Sequence, residues 1–191
     1  MSIRRLVKHL STLEKPPVSL NQIRQWIIEN HFQDEVWFVP TKKFAKLGGV
    51  VRFWRYHPRP YAQPSLVSTI YFDDSLHDAD IRHICCKEML HIFDGHSETT
   101  ATRHEVEALI SGLTSGATLR EQVEKLGVEI GNQFVALVVL VPLHLLPPYE
   151  IKYRRGDISD SDIAAAFGVP NRFVKLILHN TFRTFAHLYL D

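Results

Sequence analysis

The chain has 191 residues, of which 45% are hydrophobic and 10% aromatic, so it can bury one good core with room for a small appended subdomain. Its 22 basic and 21 acidic side chains give a net charge of +1, which provides no overall field to attract nucleic acid or an anionic membrane. Binding to either would have to come from a local patch.

Several features bear on the compartment. The first 15 residues, MSIRRLVKHLSTLEK, are basic but contain no apolar run long enough for a signal peptide. The two cysteines, Cys85 and Cys86, are neighbours, so they cannot cross-link distant parts of the fold and they favour a reducing compartment. The longest apolar run, FVALVVLV at 134–141, is far shorter than the roughly 20 residues that span a bilayer. We therefore expect a cytoplasmic protein without a membrane segment.

The first half of the chain combines helical and strand patterns. Ser19 and Gln22 can form a capping box, which predicts a helix through NQIRQWIIENHF at 21–32. Ser75 and Asp78 can cap a second helix from Ala79 to about Phe93, which Gly95 would stop. Between these helices lie three short runs rich in β-branched and aromatic residues. They predict strands within 35–40, 48–58 and 66–73.

The second half is helical by its local signals. Thr102 with Glu105 and Thr118 with Glu121 fit capping boxes, and Gly127 can close the second helix. The predicted helices are 103–113, 119–126, about 129–141, a short one opened by Ser159 and Asp162, and a final one from about Asn171 through Leu190.

Three blocks of the chain, in this order, resemble the ImmA/IrrE-type family of bacterial and phage metallopeptidases: RHICCKEMLH at 82–91, GNQFVALVVLVP at 131–142 and DIAAAFGVP at 162–170. The resemblance implies a zincin-like α+β fold, in which helices pack on a small three-stranded sheet. It also implies a mostly helical C-terminal half that ends in a helix-turn-helix-like pair. We accordingly expect a zincin-like domain at 1–156 and a C-terminal helical subdomain packed on it at 157–191.

The zinc motif of that family, H-E-x-x-H, is altered in this chain. It matches at Glu88 and His91, but Lys87 occupies the position of the first histidine. In an intact motif the two histidines hold zinc and the glutamate activates the metal-bound water, whereas an ammonium group has no lone pair to give to a metal. The family's third ligand is also displaced. Ile130 stands at its position, and the neighbouring Glu129 points about 100° away on a helix.

Two interpretations of this motif stay open. In the first, Glu88 is catalytic and binds a metal, expected to be zinc, together with His91 and a further ligand; the candidates for that ligand are Glu129, Asp94 and His96. In the second, no cofactor is bound, and His91 is a partly buried histidine with a local partner. Lys87 then lies near the former metal position and neutralises Glu88 or another carboxylate, because an uncompensated buried charge is costly.

The terminal helix pair could contact DNA through Arg172 and Lys175. However, its first helix opens among three aspartates, at 157, 160 and 162, which would face phosphates unfavourably. We expect instead that the pair packs through its apolar side chains, which are Ile163, Phe167, Phe173 and Ile177.

These patterns together favour a catalytically degenerate metallopeptidase-like protein that acts through protein–protein contacts in regulation. An active metallopeptidase with unusual metal ligands and a DNA-binding regulator are the alternatives. The expected partner is a protein, and neither nucleic acid nor a membrane is expected as a partner.

Overall fold

The computed structural model describes residues 2–42, 48–57, 59, 61, 63–93 and 131–190. In chain order its helices are α1 (Ser2–Leu10), α2 (Leu20–Glu29), α3 (Asp78–Leu90), α4 (131–140), α5 (Pro147–Arg154), α6 (Asp160–Phe167), α7 (Val174–Ile177) and α8 (Asn180–Leu190). Its strands are β1 (Glu35–Pro40), β2 (Gly49–Tyr56) and β3 (Ser65–Phe72). The described chain is therefore α+β and mostly helical, with one three-stranded sheet, as the sequence predicts.

The chain divides into two compact units. A sheet unit comprises Ser19–Glu98, and a helical unit comprises Met1–Val18 together with Thr99–Asp191. The boundary predicted between residues 156 and 157 lies inside the helical unit, and that division stays a prediction. The helices predicted at 103–113 and 119–126, with their caps, lie outside the described residues, as does the stop at Gly95.

The sheet has the strand order β1-β3-β2, with β1 parallel and β2 antiparallel to the central strand. β1 and β2 lie within the runs that predict them, and β3 begins one residue before its run, at Ser65. Because side chains alternate between the two faces, the register assigns each residue to a face. Gly49, Val51, Ile70 and Val36 share the face toward α3, where a side chain added at Gly49 would meet Ile84.

Helices α2 and α3 both pack in the sheet unit. The capping box of α2 is confirmed, because Ser19 accepts from the backbone N–H of Gln22 and the Gln22 side chain accepts from that of Ser19. The buried side chains of this helix are Ile23, Trp26 and Ile27. Trp26 stacks on Phe32 with ring centroids 5.6 Å apart, which ties the end of the helix to the chain that enters β1.

The predicted cap of α3 is wrong. Ser75 does not cap the helix, because its backbone N–H and its hydroxyl both donate to the Asp73 carboxylate at the end of β3. These two bonds lower the pKa of Asp73. His77 takes the capping position, and its Nδ1 accepts from the backbone N–H of Ala79 at 3.2 Å. The helix gives way at His91–Phe93 to a 3₁₀ turn.

The helical unit has an almost wholly apolar core. The run FVALVVLV at 134–141 is buried along its entire length, as the sequence predicts. Helix α1, which no local signal predicts, packs against α8 and buries Leu6 and Leu10 one turn apart. No helix among the described residues is both long enough and apolar enough to span a membrane.

The C-terminal region differs from the single final helix that the sequence predicts. A 3₁₀ turn at Asn171–Phe173 leads into the short α7, and the chain then turns before α8 begins at Asn180. The break is stabilised by His179, whose Nδ1 accepts from the backbone N–H of Thr181. A second correct prediction concerns α6, whose Ser159–Asp162 capping box is present. The four apolar side chains predicted to pack together are all buried: Ile163, Phe167, Phe173 and Ile177.

Candidate functional site

The site that the sequence singles out lies on the second half of α3, where charged and apolar side chains are buried together. Asp78 and Asp80 in the first turn and Lys87 in the last turn favour this helix, because they oppose the helix dipole charges. From its middle onwards the helix is covered on nearly every side. The buried residues are His83, Cys85, Cys86, Lys87, Glu88, Met89 and Leu90.

Lys87 and Glu88 form a buried ion pair. The Lys87 ammonium lies 2.8 Å from Glu88 Oε1, and the two side chains are only 5% and 4% exposed. The prediction that the Lys87 ammonium neutralises a nearby carboxylate is confirmed at Glu88. Neighbouring helical residues point about 100° apart, so both side chains bend toward each other. Glu88 Oε1 accepts no well-aligned hydrogen bond in the described structure, so charge attraction rather than alignment holds the pair together.

Strand β2 comes very close to this pair at its first residue. A Cβ atom added to Gly49 would overlap the Ile84 side chain and would lie 3.3 Å from the Tyr71 carbonyl oxygen and 3.4 Å from Glu88 Cγ. Only a residue without a side chain fits between the sheet and α3 here. Sequence reasoning missed this role of Gly49. The Gly-Gly pair at 48–49 was its only local signal, and Gly48 has a positive φ of 74° that also favours glycine.

The two cysteines show that water is largely excluded from this part of α3. Burial, reinforced by the charge of Glu88, raises the pKa of the Cys85 thiol to about 12. Burial also raises the pKa of Cys86, against the opposing effect of Arg82. Both thiols are buried outside any disulfide, and their raised pKa values keep them protonated at neutral pH, which makes them poor nucleophiles. They therefore serve as small core residues.

Of the remaining predicted ligands, the structure describes only His91. His91 is buried at the start of the 3₁₀ turn, three residues after Glu88. Glu129, Asp94 and His96 lie outside the described residues. In the part of the chain that the structure describes, no three His, Cys, Asp or Glu side chains are grouped to hold a metal ion. The assignment of a metal to Glu88, His91 and Glu129 stays a prediction.

The donor at the first motif position does not fit zinc. The side chain at the first ligand position carries an ammonium group without a lone pair, and that group occupies one oxygen of Glu88. The arrangement neutralises two charges in a dry interior.

The terminal helix pair presents few cationic groups. The Arg172 guanidinium stacks over the Phe173 ring, 4.7 Å from its centroid, and Phe173 is itself buried. Lys175 is exposed on α7, between the buried residues Val174 and Leu176. The pair therefore packs through its apolar side chains.

No protein-family model, curated protein or solved structure matches this chain.

Proposed function

We propose that this chain is a zincin-like protein of the ImmA/IrrE type whose metal centre has been replaced by an internal ion pair, and that it acts through contacts with another protein. The observation that carries the proposal is the Lys87–Glu88 pair, in which a cation supplied by the chain stands beside the motif glutamate. A carboxylate that once lay beside a dication needs a new positive charge when that ion is lost. A protein of this fold that no longer catalyses a reaction can still bind another protein through its surface.

The proposal includes the finer architecture. The α+β arrangement and the helix that follows the third strand are compatible with a zincin-like domain. The α6–α7 region would then correspond to the helix-turn-helix-like pair of the family, serving here as a packing element. The two thiols are buried and form no disulfide, which is compatible with a reducing, cytoplasmic location.

Metal loading tests the proposal. Wild-type protein is incubated with zinc, dialysed against a weak chelator and analysed for bound metal, with peptide cleavage measured on the same sample. We expect clearly less than one zinc per chain and no cleavage. One tightly held zinc per chain would instead favour the active metallopeptidase, with Glu88 and His91 among its ligands.

A restored site makes the test sharper. Lys87→His combined with Ile130→Glu returns the family's ligand types to the motif positions and should recover zinc binding, whereas Lys87→His alone should not. A matched control places the same residue types on the exposed face of α5, by Lys152→His combined with Ile151→Glu. Thermal unfolding of each variant, with and without zinc, separates a loss of folding from a failure to bind. If the control variant takes up as much zinc, the uptake by the restored variant does not depend on the motif positions.

A further inference from the structure

The sheet has a second face, opposite the one that packs on α3, and this face carries large exposed aromatic side chains. The register places Trp37, Trp54 and Tyr56 there, together with Arg52. The three aromatic residues are 39%, 44% and 48% exposed, and Arg52 is exposed as well. Isolated exposed aromatics are ordinary, but several on one sheet face indicate a binding surface.

The two tryptophans meet over the central strand. Trp37 projects from β1 and Trp54 from β2, and their rings lie edge to face with centroids 5.4 Å apart. The Trp54 indole N–H donates to the Thr69 hydroxyl on β3 at 3.0 Å, which fixes that ring across the sheet. Thr69 is only 3% exposed beneath the rings. The pair is therefore a fixed platform rather than two independent side chains.

Tyr56 extends this platform along the edge strand. It lies two residues after Trp54 and on the same face, so the two rings begin about 7 Å apart along the strand. Eight residues of β2 span about 27 Å, enough for several units of an extended chain. Flat groups carried at intervals along such a chain could stack on successive rings.

Basic side chains outnumber acidic ones between Asp34, which precedes β1, and the pair Asp73 and Asp74, which follows β3. Residues 35–71 contain six Lys or Arg side chains and a single acidic one, whereas the rest of the chain contains 16 basic and 20 acidic side chains. The net charge of +1 for the whole chain hides this difference. Within the described residues, the exposed cations near this face are Lys42 after β1, Arg52 on β2 and Arg59 after β2. Arg55, which is also exposed on β2, lies on the opposite face by the register. The single acid, Glu35, accepts from the Trp37 indole N–H at 2.6 Å.

We propose that this aromatic and basic sheet face binds single-stranded nucleic acid, with bases stacked on Trp54 and Tyr56 and phosphates near Arg52 and the cations at the strand ends. Stacking on aromatic rings within a basic surface is the common physical basis of sequence-tolerant single-strand binding. An acidic protein would meet the same cations but has few flat groups to match the rings. The proposal goes beyond the function proposed above and does not depend on it.

The experiment uses fluorescein-labelled oligothymidylate and oligouridylate, each about 20 nucleotides long, so that the probe exceeds the roughly 4–16 nucleotides of such sites. Fluorescence anisotropy on the full chain measures affinity between about 50 and 200 mM salt. With about three phosphate contacts, the logarithm of the association constant should fall with the logarithm of salt with a slope of about −2. A base-paired hairpin of equal length should bind more weakly, because its bases are unavailable for stacking.

Variants separate stacking from simple charge attraction. Trp54→Ala and Tyr56→Ala should each weaken binding by about 5- to 150-fold, the effect of losing one stacked base. Trp54→Phe keeps a ring but removes the bond to Thr69, and it should retain most of the affinity. Arg52→Ala should reduce the salt slope by about 0.7, whereas Arg154→Ala, which removes an exposed arginine from α5, should change neither slope nor affinity.

Three outcomes would overturn the proposal. The first is no binding of either probe at about 50 mM salt. The second is equal weakening by Arg52→Ala and Arg154→Ala with no effect of Trp54→Ala, which would indicate general charge attraction. The third is binding of an acidic peptide with alternating Asp and Leu in preference to both oligonucleotides, which would assign the face to a protein. Thermal unfolding of the variants, compared with Trp54→Phe, identifies any loss that comes from misfolding.

Discussion

Two ion pairs, one in each unit, stand in different surroundings. Lys87 and Glu88 are neighbours on α3, and neither side chain is more than 5% exposed. Glu150 on α5 and Arg183 on α8 are 33 residues apart, and the Arg183 side chain is 37% exposed. Glu150 is 10% exposed, so water reaches the second pair mainly at its arginine, whereas both partners of the first pair are shielded from water.

The difference separates two roles for charge in one chain. The Glu150–Arg183 pair joins α5 to α8, which are far apart in the chain, and its cation is partly exposed, so its contribution to stability is modest. The Lys87–Glu88 pair joins nothing distant, since its members are adjacent in sequence. Its effect is to make two buried charges tolerable inside the sheet unit.

The largest expected effect comes from breaking the buried pair. Lys87→Ala should lower the free energy of unfolding by about 3–5 kcal/mol, because it leaves the Glu88 carboxylate buried without its cation. Urea unfolding followed by circular dichroism measures this, with exposed Lys175→Ala as a control expected within about 0.5 kcal/mol of wild type. Replacing both partners, by Lys87→Met with Glu88→Leu, should cost less than Lys87→Ala alone. Equal effects of Lys87→Ala and Lys175→Ala would show that the buried pair adds no more to stability than an exposed lysine does.

Alkaline pH offers a second way to probe the dry interior. The Cys85 pKa rises from 9.0 to about 12 on folding, so between these pH values the unfolded chain releases a proton that the folded chain keeps. The free energy of unfolding should therefore be unaffected by this thiol below pH 9 and fall by up to roughly 4 kcal/mol as the pH approaches 12. Cys85→Ala should show a shallower fall over the same range. Identical slopes in the two proteins would show that the thiol is not desolvated.

The close approach of β2 to α3 is tested by filling it. Gly49→Ala should cost about 1–3 kcal/mol, because the new methyl group overlaps Ile84. Ile84→Leu moves the branch away from Cβ and should recover part of the loss in the double variant. Gly131→Ala on α4 is the matched control, since no atom lies within 4 Å of its added Cβ, and it should stabilise by up to about 1 kcal/mol. An unchanged free energy of unfolding in Gly49→Ala would contradict the close contact with Ile84.

The smallest effect is expected at the partly exposed pair. Glu150→Gln should lower the free energy of unfolding by about 0.5–1 kcal/mol, because water can solvate the 37% exposed Arg183 side chain that remains. The difference from wild type should shrink in about 1 M salt, which screens exposed charges, whereas the effect of Lys87→Ala should persist. If the loss in free energy of unfolding were independent of salt and as large as that of Lys87→Ala, both pairs would be shielded from water to the same extent.

Local sequence rules were sufficient for much of this protein. The three strands follow from short β-branched and aromatic runs, and the caps of α2 and α6 follow from Ser residues three positions before a side-chain acceptor. The burial of 134–141 follows from an uninterrupted apolar run. The pairing of Lys87 with Glu88 could be predicted as well, because an adjacent carboxylate is within reach of a lysine side chain whatever the surrounding fold.

The tertiary structure decided what depends on distant partners. Asp73 takes both donors of Ser75, so α3 begins with a histidine cap that no capping rule favours. Helix α1 is stabilised by burial against α8, far along the chain, and therefore leaves no local signal. The role of Gly49 depends on where α3 crosses the sheet. The meeting of Trp37 and Trp54 depends on strand order, because only pairing of both strands with β3 brings their rings together.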